Sequence, residues 1–255
     1  NLKGAKLACD ALDCRKTKDT SSREEGIIRA MKCLQDSFPL DKQTASQREA
    51  EDNGKRVIEM KLSLPEDFTL EYQPGDSVGL VVSNSAAATK FVLDMLHKHH
   101  GLASTQKVSL DEKNPITVAA AVRDRIDLCS PIKNKRLLAS LAQFASNPDE
   151  ANALNMLASK DPVGQDLFAR YIDQQRMCAL DILTQFPSCQ SITLEGLLSI
   201  LPGIAPRYYS ISSSPLGQKD ASLQLTVAFS VVDYITPILI LADGTKLQRR
   251  TGGLA

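Results

Sequence analysis

Between residues 55 and 64 apolar and polar side chains alternate, with Ile58, Met60, Leu62 and Leu64 on one face and Glu59, Lys61 and Ser63 on the other. That period predicts a half-buried antiparallel strand. A second short strand is expected over residues 69–72, followed by the turn Gln73-Pro74-Gly75-Asp76 and an apolar strand over 77–83. Turn chemistry this close to β-branched runs predicts a barrel or sandwich. The spacing then becomes helical. A helix is expected from Asn84 or Ser85 to His100, stopped by Gly101; others begin at Thr117, at Ser130-Pro131 (reaching about Ala145), at Asn147-Pro148 with Glu150 as capping-box partner, and at Asp161-Pro162. Thr193 opens a last short helix that Pro202 ends. Beyond it the strand pattern returns over 207–213 and 223–232, with a hairpin around Asp243-Gly244.

Strands, then helices, then strands predict an α+β chain: an antiparallel β-barrel carrying an inserted, all-helical domain. The first 36 residues read as a linker with one helix over 23–37, where Ser22 and Glu25 form a capping box and Ile27, Ile28, Met31 and Leu34 make a narrow docking stripe.

Charge and composition narrow the function classes. Lys plus Arg and Asp plus Glu each number 30 in 255 residues, so no global field draws the chain onto nucleic acid or an acidic membrane. Apolar runs such as 238–242 fall far short of the roughly 18–20 residues a spanning helix needs. Residues 1–18 are dotted with charges, unlike a signal peptide, so a soluble, cytoplasmic chain is expected. Six cysteines without a C-x-x-C pair read as reduced, mostly buried thiols. His97, His99 and His100 share a helix end, where imidazolium suits the dipole, and a solvated last turn is preferred there to a metal site. Hydrolase, zinc-protease, Walker and Rossmann signatures are missing from the sequence.

The sharpest chemistry is in Ala205-Pro206-Arg207-Tyr208-Tyr209-Ser210-Ile211. Strand period puts Arg207 and Tyr209 on one face and Ser210 on the other. A pyrophosphate suits a guanidinium fork, while an isoalloxazine ring suits an aromatic platform with a nearby hydrogen-bonding group. The bland alternative is a strand end with a solvated arginine.

Arg207-x-Tyr209-Ser210 resembles the R-x-Y-S flavin motif of the ferredoxin reductase superfamily. Tyr72-Gln73-Pro74-Gly75-Asp76-Ser77-Val78 followed by Asn84 resembles the turn and strand of its diflavin reductase branch, and residues 114–202 look like that branch's connecting domain. Phe186-Pro187-Ser188-Cys189-Gln190 is most similar to the methionine synthase reductase type, with the NADPH-haemoprotein reductase and sulfite reductase flavoprotein types close beside it. The resemblance covers residues 38–255. It implies a division into a linker (1–36), a first barrel part (37–113), the helical connecting domain (114–201) and a second barrel part (202–255).

The resemblance also implies the roles. Arg207 would neutralise the FAD pyrophosphate, Tyr209 would pack on the flavin beside Tyr208, and Ser210 would lie near N5 as the catalytic hydroxyl. Arg176 matches an arginine that reaches FAD in relatives, or is a helix-surface charge; Tyr234 would sit beside the adenine, or is an ordinary strand-end tyrosine. Ala228 and Ser230 fall on the strand bordering the flavin, whose side chains are expected to be mostly core. Gly252, Gly253, Leu254 and Ala255 look like the start of the phosphate turn, although the family's Ser or Thr and following helix would lie past Ala255. Residues 235–250 are longer than the family's loop, which predicts a hairpin insertion. The implied function is the FAD module of an NADPH-dependent oxidoreductase, with FMN, an FMN-binding domain, an acceptor protein and the NADPH domain supplied from outside residues 1–255. The alternative is a non-catalytic interaction module without flavin.

Overall fold

The computed structural model describes Arg29 and residues 57–63, 71–109, 114–214, 224–240 and 246–252. Apart from Arg29, the helix expected over 23–37 lies outside the described residues. So do Leu64, residues 69–70, the Asp243-Gly244 turn, Cys9, Cys14, Cys33, and Gly253, Leu254 and Ala255.

Strand β1 (Val57–Ser63) comes first, then β2 (Ser77–Leu80). The turn before β2 closes because Gly75 takes φ 101°, a left-handed value that a side chain disfavours, while the Asp76 N–H donates to the Gln73 carbonyl at 3.0 Å. Helix α1 (Ala86–His100) starts at Ser85, whose side chain accepts from the Ala88 N–H, and ends at Gly101 with φ 66°. It buries Ala88, Val92, Met95 and Leu96, the stripe that 3.6 residues per turn dictates. The short ladder β3 (Lys107–Val108) with β4 (Ile116–Thr117) leads to α2 (Val118–Asp124), capped by Thr117. Then follow α3 (Lys135–Ala142), α4 (Pro148–Ala158), α5 (Pro162–Phe168) and a wide π turn at Ala169–Asp173. The helical stretch closes with α6 (Ala179–Gln185), a 3-10 turn at Pro187–Ser191 and α7 (Leu194–Ile200).

One expected helix start and one expected capping box are corrected. Helix α3 begins after Asn134, not at Ser130-Pro131, because Pro131 bridges Cys178 and the Ile132 N–H donates to Met177 O at 2.8 Å, which keeps that segment extended. It also stops at Ala142, short of Ala145. At α4, Asn147 caps through the Asp149 N–H, but Glu150 does not complete a box. Its carboxylate accepts from the Ser188 N–H at 2.9 Å and Ser188 Oγ at 2.6 Å, tying α4 to the 3-10 turn.

The remaining strands are β5 (Arg207–Ser210), β6 (Gln224–Ser230), β7 (Asp233–Ile235), β8 (Leu239–Ile240), β9 (Lys246–Leu247) and β10 (Arg250–Gly252). All pairings are antiparallel: β1 with β6, β2 with β5, β7 with β10 and β8 with β9. The Ile211–Val227 bridge joins the first two ladders, giving the local order β1-β6-β5-β2. The ladders do not close into a barrel among the described residues. Strand β6 corrects another expectation: only Leu225 and Val227 are buried, while Gln224, Ala228 and Ser230 are exposed, because an antiparallel sheet can turn one face to solvent.

The core sits in the helical lobe. Phe186, Leu96, Ile126, Leu128, Leu138, Leu141, Leu154, Leu157, Ile172 and Met177 are fully buried there. Leu239 of β8 joins the same cluster from the strand side. Asn84 is the polar joint: its Nδ2 donates to Val122 O (2.9 Å) and Ile126 O (2.6 Å), its Oδ1 accepts from the Leu128 N–H (3.3 Å), and its own N–H donates to Arg123 O. No helix among the described residues is long and apolar enough to cross a membrane.

Candidate cofactor site

Strand β5 sets the site's first element. Arg207 and Tyr209 are half-buried, while Tyr208 and Ser210 point to solvent, with Tyr208 73 % exposed. The Tyr209 ring packs on Phe229 of β6 at 5.8 Å between centroids, with 57° between planes. Pairing with β2 sets Tyr209 opposite Val78 and Ser210 opposite Ser77.

A cavity of about 380 Å³ opens between β5, the loop before α6 and the strand β10. Four arginines line it, Arg176, Arg207, Arg249 and Arg250, along with Cys129, Cys178, Asp181 and Thr251. Two of those guanidinia are matched by carboxylates: Arg249 Nη2 lies 2.8 Å from Asp181, and Arg250 holds Asp233 with Nε at 2.7 Å and Nη2 at 2.5 Å. Arg176 and Arg207 have no carboxylate partner among the described residues. The cavity wall is therefore net positive, which suits a multiply charged anion with planar acceptor oxygens. Thr251 Oγ1 is buried here without a hydrogen-bond partner among the described residues.

Arg176 reaches the site from a strained position. Its φ is 48°, left-handed and costly for a residue with a side chain, and its guanidinium lies 4.1 Å from the centroid of the Tyr234 ring. The structure thus brings Arg176, Arg207 and Thr251 to one cavity, with Tyr234 under Arg176. Tyr208, Tyr209, Ser210, Ala228 and Ser230 do not line it; they lie on the neighbouring β5 and β6 surface. Gly252 ends β10, opposite Asp233. Arg249, Arg250 and Asp181 were not anticipated from the sequence, although two consecutive arginines just before a glycine turn are a visible signal.

The thiols here favour their neutral form. Burial, and then the Asp181 carboxylate, push the Cys178 thiol up to about 12, and Cys129 is raised by burial and Asp127. Cys189, fully buried in the helical lobe, is also pushed up to about 12 by burial and Glu150. At pH 8 each group near 12 is thiolate in only about one molecule in ten thousand. Cys178 and Cys189 are therefore expected to resist iodoacetamide in the folded chain and to label only on unfolding, as peptide mass spectrometry would read. Rapid native-state labelling at either would contradict its neutral state. With the Cys178 value raised from 9.0 to about 12, its contribution to stability is intact below pH 9 and is lost as pH rises through about 12.

Residues 37–237 match the sequence profile of the family described as the FAD binding domain. The chain belongs to that family. Among relatives of this FAD-binding domain, NADPH-dependent diflavin oxidoreductase 1 of Arabidopsis thaliana is 31% identical over 183 residues, covering 66% of this chain and 28% of that protein. Methionine synthase reductase of Bos taurus is 30% identical over 193 residues, covering 71% and 26% respectively. NADPH–cytochrome P450 reductase of Rattus norvegicus is 27% identical over 179 residues, covering 67% and 26%. The chain spans about a quarter of the length of these curated relatives. The FAD-binding domain here is a mixed helix-and-strand fold, with its antiparallel ladders beside a helical lobe.

Proposed function

We propose that this chain is the FAD-binding part of an NADPH-dependent diflavin oxidoreductase, of the methionine synthase reductase kind, with its anion cavity holding the FAD pyrophosphate. The observation that carries the reading is that Arg176 and Arg207, in one cavity, have no carboxylate partner among the described residues, beside a Thr251 hydroxyl that has no hydrogen-bond partner among them either. These groups fit a diphosphate: two forked donors for its oxygens, and a hydroxyl that has otherwise lost its water bonds without gaining a partner.

In this reading Arg207 and Arg176 neutralise the pyrophosphate, and the backbone of Gly252, Gly253, Leu254 and Ala255 contributes N–H donors. Tyr234 faces the adenine end. Tyr209, braced by Phe229, and the exposed Tyr208 offer aromatic surface to the flavin ring. Ala228 and Ser230, exposed on β6, leave room along that ring, and the exposed Ser210 hydroxyl serves as a hydrogen-bond partner at its reactive edge. Bound FAD would accept hydride from NADPH and pass electrons singly towards FMN and an acceptor protein. We assign residues 37–113 and 202–255 to a barrel, 114–201 to an inserted helical connecting domain that orients an FMN-binding domain, and 1–36 to a linker. A cytoplasmic location accords with this electron-transfer role.

The test is a titration of FAD into the purified chain, followed by flavin fluorescence quenching. Saturable quenching is expected, and Arg207→Ala should weaken binding by about 1.5–3 kcal/mol, or about 10- to 150-fold in Kd. No quenching at any flavin concentration, or an unchanged Kd in the variant, would overturn the reading.

A further inference from the structure

Between Asp233 and Gly252 the described strands fold back on one another as a hairpin of two antiparallel ladders. Strands β7 and β10 pair at its base, with Arg250 opposite Ile235 and Thr251 opposite Tyr234, while β8 and β9 pair further out, with Leu239 opposite Leu247. Thr236 welds the two ladders together: its N–H donates to Arg249 O at 2.8 Å, and its hydroxyl accepts from the Arg249 N–H at 2.8 Å. Gln248 Nε2 adds a bond to Thr236 O at 3.1 Å.

This hairpin is fastened to the helical lobe at three points. Leu239 is 5 % exposed and belongs to the lobe's core cluster. Gln175, fully buried, donates its Nε2 to Pro237 O at 3.1 Å. Arg249 pairs with Asp181 at 2.8 Å and packs its Nη1 against the Met177 sulfur. Asp181 is itself locked to the start of α6, because its Oδ2 accepts from the Cys178 N–H at 2.9 Å.

Asp181 is the one carboxylate among the described residues lining the arginine cavity. Left bare, it would repel an anionic ligand across a half-enclosed space, where charge is poorly screened. Arg249 covers it and, in the same contact, pins the strand that carries Arg250 and Thr251 into the cavity wall. We infer that Arg249 is a positioning residue for anion binding: through Asp181 it clasps the hairpin to the helical lobe and masks the one carboxylate that the described residues place in the cavity wall. The inference rests on the anion-cavity reading above. It makes the hairpin part of the binding device, not a passive extension.

Charge masking and simple structural support predict different mutant patterns. Masking predicts that Arg249→Ala, which bares Asp181, weakens FAD or inorganic pyrophosphate binding by about tenfold or more, that Asp181→Asn costs clearly less, and that adding Asp181→Asn to Arg249→Ala recovers most of the loss. A purely structural contact predicts equal single losses and no recovery in the double variant, and that result would overturn the masking role. The clasp has its own readout, independent of any ligand: in the full chain without flavin, amide hydrogen exchange at Thr236 and at position 249 should accelerate about tenfold or more in Arg249→Ala. Exchange unchanged from the parent would overturn the clasp. Should the parent chain bind neither FAD nor pyrophosphate, the exchange data still decide the clasp while the anion reading fails separately, and with it the masking role.

Discussion

Replacing Phe186 with alanine is expected to destabilise the chain by about 3–5 kcal/mol, the cost of removing a large aromatic from a packed interior. Phe186 is fully buried where α6 gives way to the 3-10 turn, and its N–H closes the last turn of α6 on Ile182 O at 2.8 Å. The void would open beneath both the 187–191 turn and α6, the helix whose first turn holds Asp181. Domains are stable by only about 5–15 kcal/mol in total, so the variant should unfold at markedly lower urea. Equilibrium urea denaturation followed by circular dichroism measures it. A midpoint within error of the parent would mean that Phe186 is not the packing centre of this lobe.

Asn84→Ala should cost about 2–4 kcal/mol, more than its size suggests, because one side chain satisfies three buried backbone groups. Its loss strips the Val122 and Ile126 carbonyls and the Leu128 N–H of their partner while leaving them enclosed. Asn84→Asp is the sharper control. It keeps an acceptor for Leu128 but turns a carboxylate oxygen on two carbonyls, so at neutral pH it should be at least as damaging as alanine. If the same denaturation assay found Asn84→Asp as stable as the parent, the two donor bonds would carry no weight. The joint also matters for function, since it links the start of α1 to α2 and to the loop that runs into Cys129 and Ser130 of the cavity.

Much of the local structure was written in the sequence. Ser85, Thr117, Asn147, Asp161 and Thr193 each cap the helix expected of them, because a short polar side chain before a helical run satisfies free N–H groups wherever the rest of the chain lies. Gly75 and Gly101 take the positive φ values their turns require. The alternation in β1 and β5 likewise fixed which side chains share a face. The misplacements came where a distant partner competed. Glu150 left its own helix end for Ser188, and Pro131 was drawn into a bridge with Cys178 instead of opening a helix.

The candidate site divides along the same line. Arg207 could be singled out because four neighbouring residues on one strand carry the pattern by themselves, while its companions Tyr209 and Ser210 lie beside the cavity and not in it. Arg249, Arg250 and Asp181 were not, since their convergence depends on a hairpin folding back some 70 residues along the chain onto α6, as the Arg249–Asp181 pairing separated by 68 positions records. Sequence determined the caps, the strand faces and the family; tertiary structure alone decided which of the cavity's arginines pair with a carboxylate among the described residues. The physical reason is range: capping and alternation are set by covalent neighbours, whereas charge balance in a cavity is a sum over groups that only folding brings within a few ångströms.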